Sequence, residues 1–119
     1  MNMMKMIILK RLSEIKSNLE ELLPQLDPDS KVYKDAKMSL DRIKTTLAST
    51  KPAELPKDVK IDTSQLKFRG SKLSGKVLMS DNTKVYYLTV DNNEIKDMKV
   101  FEGGIMKMEY LEATVFKNN

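Results

Sequence analysis

The period of the apolar residues changes near the middle of this chain, and that change constrains its fold more than any motif does. Up to Leu47 apolar side chains recur at gaps of three and four, the spacing of one stripe on a helix; from Leu66 to Phe116 they alternate, the spacing of one face of a strand. The pattern predicts an α+β fold in which an N-terminal antiparallel α-helical hairpin packs on a C-terminal four- to five-stranded antiparallel β-meander with room to curl. At 119 residues the chain is long enough for one domain with a core. It divides into a hairpin at 1–50, a linker at 51–65 and a sheet at 66–119.

The first stripe reads Ile8, Leu12, Ile15, Leu19, Leu22 and should end at Leu23, because Pro24 disfavours helix in the residue before it. Asp27 is then placed to cap a second helix with Pro28 at its first position. The second stripe reads Tyr33, Ala36, Leu40, Ile43, Leu47. Each stripe falls short of the three heptads or so that mark a coiled coil, so the hairpin is expected to close on itself and on the sheet rather than to oligomerise along its seam. At the start of the first helix Met3, Met4, Met6, Ile7, Ile8 and Leu9 are apolar nearly all the way round, and such a helix must be covered on every side. Either the sheet packs there or a partner docks on the soft methionine surface.

Between helices and sheet, Thr45 to Pro56 carries Ser, Thr, Ala and two prolines without apolar period, which marks a connector. Beyond it, Leu66 to Lys76 contains Lys67, Arg69, Lys72 and Lys76 with Phe68 and no acidic residue. Cations beside an aromatic side chain suit single-stranded nucleic acid, whereas a solvated hairpin or a lysine-protected edge strand accounts for the same run structurally. Gly70 to Lys76 also has the spacing of a phosphate-binding loop, but Val77 stands where the motif needs Ser or Thr, and the residues beyond Val77 alternate as a strand where the motif needs a helix.

Turn residues cut the remainder into strands at Leu73 to Ser80, Lys84 to Asp91, Glu94 to Glu102 and Met106 to Phe116. Two-residue loops at Asp81-Asn82 and Asn92-Asn93 set Leu78 opposite Val85 and Tyr87 opposite Met98. At Gly103-Gly104 an odd loop with a glycine at positive φ matches Val100 with Met108 and Met98 with Tyr110, and sets Lys99 against Glu109. In these registers both faces of the sheet are apolar, one through Leu78, Val85 and Tyr87, the other through Tyr86, Leu88, Ile95 and Phe101. One helical hairpin covers one face, so the second needs curvature, a subunit or a ligand.

The chemistry is bounded from the other side. With no cysteine and no histidine, disulfides, thiolate sites, the commonest metal ligand and the commonest general base are all missing. The paired carboxylates Glu20-Glu21 and Asp27 with Asp29 sit where a helix end and a helix cap explain them, and no EF-hand spacing occurs. We expect no enzyme, cofactor or metal. No apolar run approaches the roughly 20 residues of a bilayer span, and the Met-rich start runs into charged helix without a cleavage site, so the expected location is the cytoplasm and not a membrane. Net charge of +4 leans weakly towards anionic partners.

The leading expectation is a non-enzymatic, homo-oligomeric interaction protein, or one with a protein partner, touching it through Met3, Met6, Ile7, Tyr86, Leu88, Ile95 and Phe101. The alternative is single-stranded nucleic-acid binding by Lys67, Phe68, Arg69, Lys72 and Lys76. A third reading is a carrier of a small apolar ligand walled by Tyr86, Leu88, Ile95 and Phe101.

Overall fold

A computed structural model describes residues 3–49 and 59–116. Helix α1 spans Met3–Leu22, a 3-10 turn follows at Leu23–Gln25, and α2 spans Lys31–Ala48. Four strands come next, β1 at Lys60–Arg69, β2 at Lys72–Ser80, β3 at Lys84–Asp91 and β4 at Glu94–Glu102, then α3 at Gly104–Leu111 and a π-helical turn at Glu112–Phe116. The sheet is an antiparallel meander in the order β1-β2-β3-β4. The α+β class stands, with four strands.

Pro24 ends α1 as its missing N–H requires. The second helix is capped by Ser30 and not by Asp27: the Ser30 hydroxyl accepts the Tyr33 N–H at 3.1 Å. Asp27 instead closes the preceding turn, its Oδ1 accepting the Asp29 N–H at 2.9 Å while its carbonyl accepts the Ser30 N–H at 3.0 Å. Pro28 therefore serves the turn rather than the first helical position.

Three expectations for the sheet are corrected. The expected linker at 51–65 is shorter, since residues 60–65 already belong to β1; the stretch 50–58 lies outside the described residues. The register of β1 on β2 shifts between Asp62 and Gln65, so Ile61 and Thr63 alternate in one phase and Leu66 and Phe68 in the other, which hides the strand from a period-two reading. Leu78 faces Tyr87, and Val85 faces Ser80, two residues from the expected register and therefore with the same faces. Between β3 and β4 a one-residue bulge at Lys96 sets Leu88 against Met98 and Val85 against Phe101. That single residue moves Met98 and Val100 to the face of Tyr86 and Leu88, and moves Phe101 to the face of Val85 and Tyr87.

The largest correction concerns Met106 to Phe116, which is helix and not strand. Gly103 at φ 115° and Gly104 at φ 56° turn the chain sharply out of β4, and both of their N–H groups donate to the Thr83 carbonyl, at 3.0 and 3.1 Å. A β-carbon on Gly104 would stand 2.6 Å from the Asn82 carbonyl oxygen, so the close seat of α3 on the β2–β3 turn requires glycine. Gly104, Met108 and Leu111 then face inward at helical spacing.

Each face of the sheet is thus covered from within the chain by a different helix. Met6 and Ile7 of α1 pack on Leu66, Leu73, Val77, Met79, Leu88 and Val90. On the opposite face Met108, Leu111 and Phe116 pack on Leu78 and Val85, with Tyr87 and Phe101 at the margin. Helix α1 is fastened to β1 by the buried Thr63 hydroxyl, which donates to Glu14 Oε2 at 2.6 Å. Helix α2 packs on α1 and on the 3-10 turn and makes no comparable contact with the sheet. The helical hairpin accordingly projects, and the Cα radius of gyration is 15.9 Å, against about 13.5 Å for a compact chain of this length.

Candidate functional site

Ile8 packs on the core of the sheet and Leu12 lines a cleft with Phe68 and Leu73, but where the hairpin projects past them its seam has only itself for cover. Of the ten stripe residues, Leu40 alone is buried; Ile8, Leu12, Ile15, Leu19, Tyr33, Ala36, Ile43 and Leu47 are half-buried and Leu22 is exposed. Val32 and Met38, at 60% and 55% exposure, add to the apolar surface of α2. The outer surfaces are ordinary solvated helix, laced by ion pairs one turn apart such as Lys16–Glu20 at 2.6 Å and Lys37–Asp41 at 3.5 Å.

The residues expected at a partner interface fall in three different places. Met6, Ile7 and Leu88 lie inside the chain's own core. Met3, Tyr86 and Ile95 sit half-buried at its margin. Phe101 is on the opposite face, beside α3, so it does not share a wall with Tyr86, Leu88 and Ile95. What stays open on the α1 side of the sheet is the part over β3 and β4, where Met98 and Val100 are half exposed opposite Leu88 and Tyr86.

The basic run is split by the alternation of its own strands. Phe68 lies on the α1 side with Leu73, where it walls a cleft of about 130 Å³ with Ile8, Arg11, Leu12, Ser71 and Asn93. Lys67, Arg69, Lys72 and Lys76 lie on the other side, the face that α3 covers only in part. There they meet residues that the sequence did not single out. Lys76 donates to the Thr89 hydroxyl at 2.6 Å and stands 5.6 Å from the centre of the Tyr87 ring. Lys99, cross-strand from Tyr87, completes a depression of about 80 Å³ with Lys76, Tyr87, Thr89 and Asp97. The signal that could have found these residues is the strand register, which sets Lys76 beside Thr89 and Tyr87 beside Lys99.

Carboxylates at this end of the sheet are largely engaged. Asp91 accepts the Ser74 hydroxyl at 3.0 Å, and Glu94 pairs with Lys96 at 2.7 Å. The hydrogen bond between them lowers the Glu94 pKa and raises that of Lys96. Among the described residues, no three acidic side chains gather as a metal set, and no helix is long and apolar enough to cross a membrane. No protein family, curated protein or solved structure matches this chain.

Proposed function

We propose that this protein is a non-enzymatic interaction module that self-associates through its helical hairpin, most simply as a dimer in which two hairpins close into a four-helix bundle. One observation carries the reading: a projecting pair of long amphipathic helices whose apolar seam is left half open along nearly its whole length. Helices gain most of their stability by burying an apolar face, and two helices alone bury only half of each stripe. Completing the burial of Leu12, Ile15, Leu19, Tyr33, Ile43 and Leu47 is worth roughly 1 kcal/mol for each side chain, on the order of 10 kcal/mol over both copies. Association costs about 4–15 kcal/mol, so the balance favours a dimer only towards the lower end of that cost and leaves at best about 6 kcal/mol, a dissociation constant of tens of micromolar. The contact surface moves accordingly from the Met-rich start and the sheet, where Met6, Ile7 and Leu88 are already occupied, to the seam.

Light scattering across the micromolar range tests it. The expected mass is twice 13.7 kDa, falling to the monomer when Leu19 and Ile43 are both changed to Lys and unchanged when Met98 and Val100 are. A monomer of 13.7 kDa at all these concentrations would sink the proposal.

A further inference from the structure

The face of the sheet opposite α1 carries a second surface, independent of the hairpin. Arg69 and Lys72 stand directly opposite each other across the β1–β2 hairpin, with Lys67 and Lys76 further along the same face. Like charges placed cross-strand destabilise a sheet; Glu94, whose charge acts on Lys72, offsets part of that repulsion, and an anionic ligand would offset more of it. None of these four, nor Lys99, belongs to an ion pair among the described residues, whereas Lys10, Arg11, Lys16, Lys31 and Lys37 of the helices do.

Aromatic rings continue the line. From Lys76 it passes the half-buried Tyr87 to Lys99 and then Phe101, two residues along β4 on the same face. Lys107 of α3 lies 5.5 Å from the centre of the Phe101 ring and 4.9 Å from that of Tyr110, which is 59% exposed. Cations and rings therefore alternate in one stripe from the β1–β2 turn across the sheet to the outer surface of α3.

We propose that this stripe binds single-stranded nucleic acid, with Lys67, Arg69, Lys72, Lys76 and Lys99 on the phosphates and Tyr110 offering an open ring for a base. Single strands suit it because an unpaired base exposes its π-face while its backbone follows a line of cations, the combination by which sequence-tolerant proteins hold them. A lipid surface would meet the charges but gains nothing from their alternation with half-buried rings. Asp97, in the depression between Lys76 and Lys99, disfavours a phosphate at that point and leaves an acceptor for a base amino group.

Fluorescence anisotropy of the full chain with labelled oligo(dT) and oligo(U) of about 20 nucleotides tests the proposal. Neutralising about five phosphates predicts a roughly hundredfold loss of affinity between about 50 and about 200 mM salt. Changing Lys72 and Lys76 together to Glu should cost about tenfold or more, and Tyr110→Ala about fivefold or more. Lys34→Glu, an exposed charge reversal on α2, should change affinity by less than about twofold if the stripe and not net charge is responsible. Absence of saturable binding at low salt, an equal loss with Lys34→Glu, indifference to Tyr110→Ala, or binding only to phosphatidylglycerol vesicles would each overturn it. Because none of the binding variants lies on the hairpin seam, the oligomeric state of each should match the parent, which separates this test from that of self-association.

Discussion

Truncating Met108 tests the most consequential feature of the fold, that residues 104–116 cover the second face of the sheet as a helix. Met108 is fully buried among Leu78, Val85, Leu111 and Phe116. Methionine-to-alanine changes in such sites cost about 2–5 kcal/mol, through lost transfer free energy and the cavity left behind. Taking about 3 kcal/mol and a melting entropy of roughly 2.1 cal/mol/K per residue, Met108→Ala should lower Tm by about 12 °C. Met106 is 82% exposed and Tyr110 59%, so Met106→Ala and Tyr110→Ala should each cost below about 0.5–1 kcal/mol and shift Tm by no more than about 4 °C. The contrast matters because in a strand Met106, Met108 and Tyr110 would share one face and share the cost. Thermal melts followed by circular dichroism, with urea denaturation as a second measure, separate the two. Comparable losses at the three positions, or a Met108→Ala loss under about 1 kcal/mol, would refute the helical packing.

Three further outcomes are expected. Gly75→Ala places a β-carbon 2.2 Å from the Gln65 carbonyl oxygen at φ +137° and must push β1 from β2, whereas Gly70→Ala at φ +64° meets nothing within 4 Å; the first should cost about 2–4 kcal/mol and the second about 1 kcal/mol in urea midpoints. Thr63→Val keeps the shape but removes the donor to Glu14 and should cost about 1–2 kcal/mol by the same assay. Asp81 accepts the N–H groups of Lys84 at 2.7 Å and Thr83 at 2.9 Å; these bonds, that from Lys84 foremost, hold its pKa below the ordinary 3.8. A depressed carboxylate stabilises the fold above its unfolded pKa and loses that contribution as pH falls through the lower folded value. Parent protein should therefore melt above Asp81→Asn near pH 6, with the gap closing below about pH 4; a gap that persists unchanged to about pH 2 would contradict the linkage.

Long periodic segments were readable in the residues because one physical signal dominated each. The gaps of three and four from Ile8 to Leu22 and from Tyr33 to Leu47 gave both long helices, and Pro24 gave the break between them. Asn92 and Asn93, both at positive φ, made the expected two-residue turn, since asparagine tolerates that region at little cost. The losses came where two signals overlapped or a phase slipped. Met106 to Tyr110 alternates, yet Gly104, Met108, Leu111 and Val115 also recur at gaps of four, three and four. The absence of a β-branched residue from Met106 to Glu112 should have favoured the helix. Bulges at Thr63–Ser64 and Lys96 each reverse the phase of a strand, hiding β1 in one case and exchanging the faces of Met98, Val100 and Phe101 in the other. Of the basic stripe, Lys67, Arg69, Lys72 and Lys76 were legible as a run, but their separation from Phe68 and their junction with Tyr87 and Lys99 depend on those registers.

The seam and the stripe lie on different elements, and that arrangement couples the two proposals in a measurable way. Joining hairpins leaves the sheet face beyond α3 open, so a dimer carries two stripes in one particle. A strand long enough to reach both binds the second stripe intramolecularly, at an effective concentration set by the length of strand between them, and avidity exceeds the affinity of either stripe without any new contact. A strand of about 10 nucleotides, within the length one such surface occupies, has no second stripe to reach. Changing Leu19 and Ile43 to Lys should therefore weaken binding of a strand of about 60 nucleotides by about a hundredfold, at the low end of the usual avidity gain of about 10²–10⁴, and leave the short strand within about twofold. Equal losses on both lengths would mean that the hairpin contributes to the binding surface itself, and no loss on either would mean that the two stripes of a dimer face apart too far for one strand to bridge.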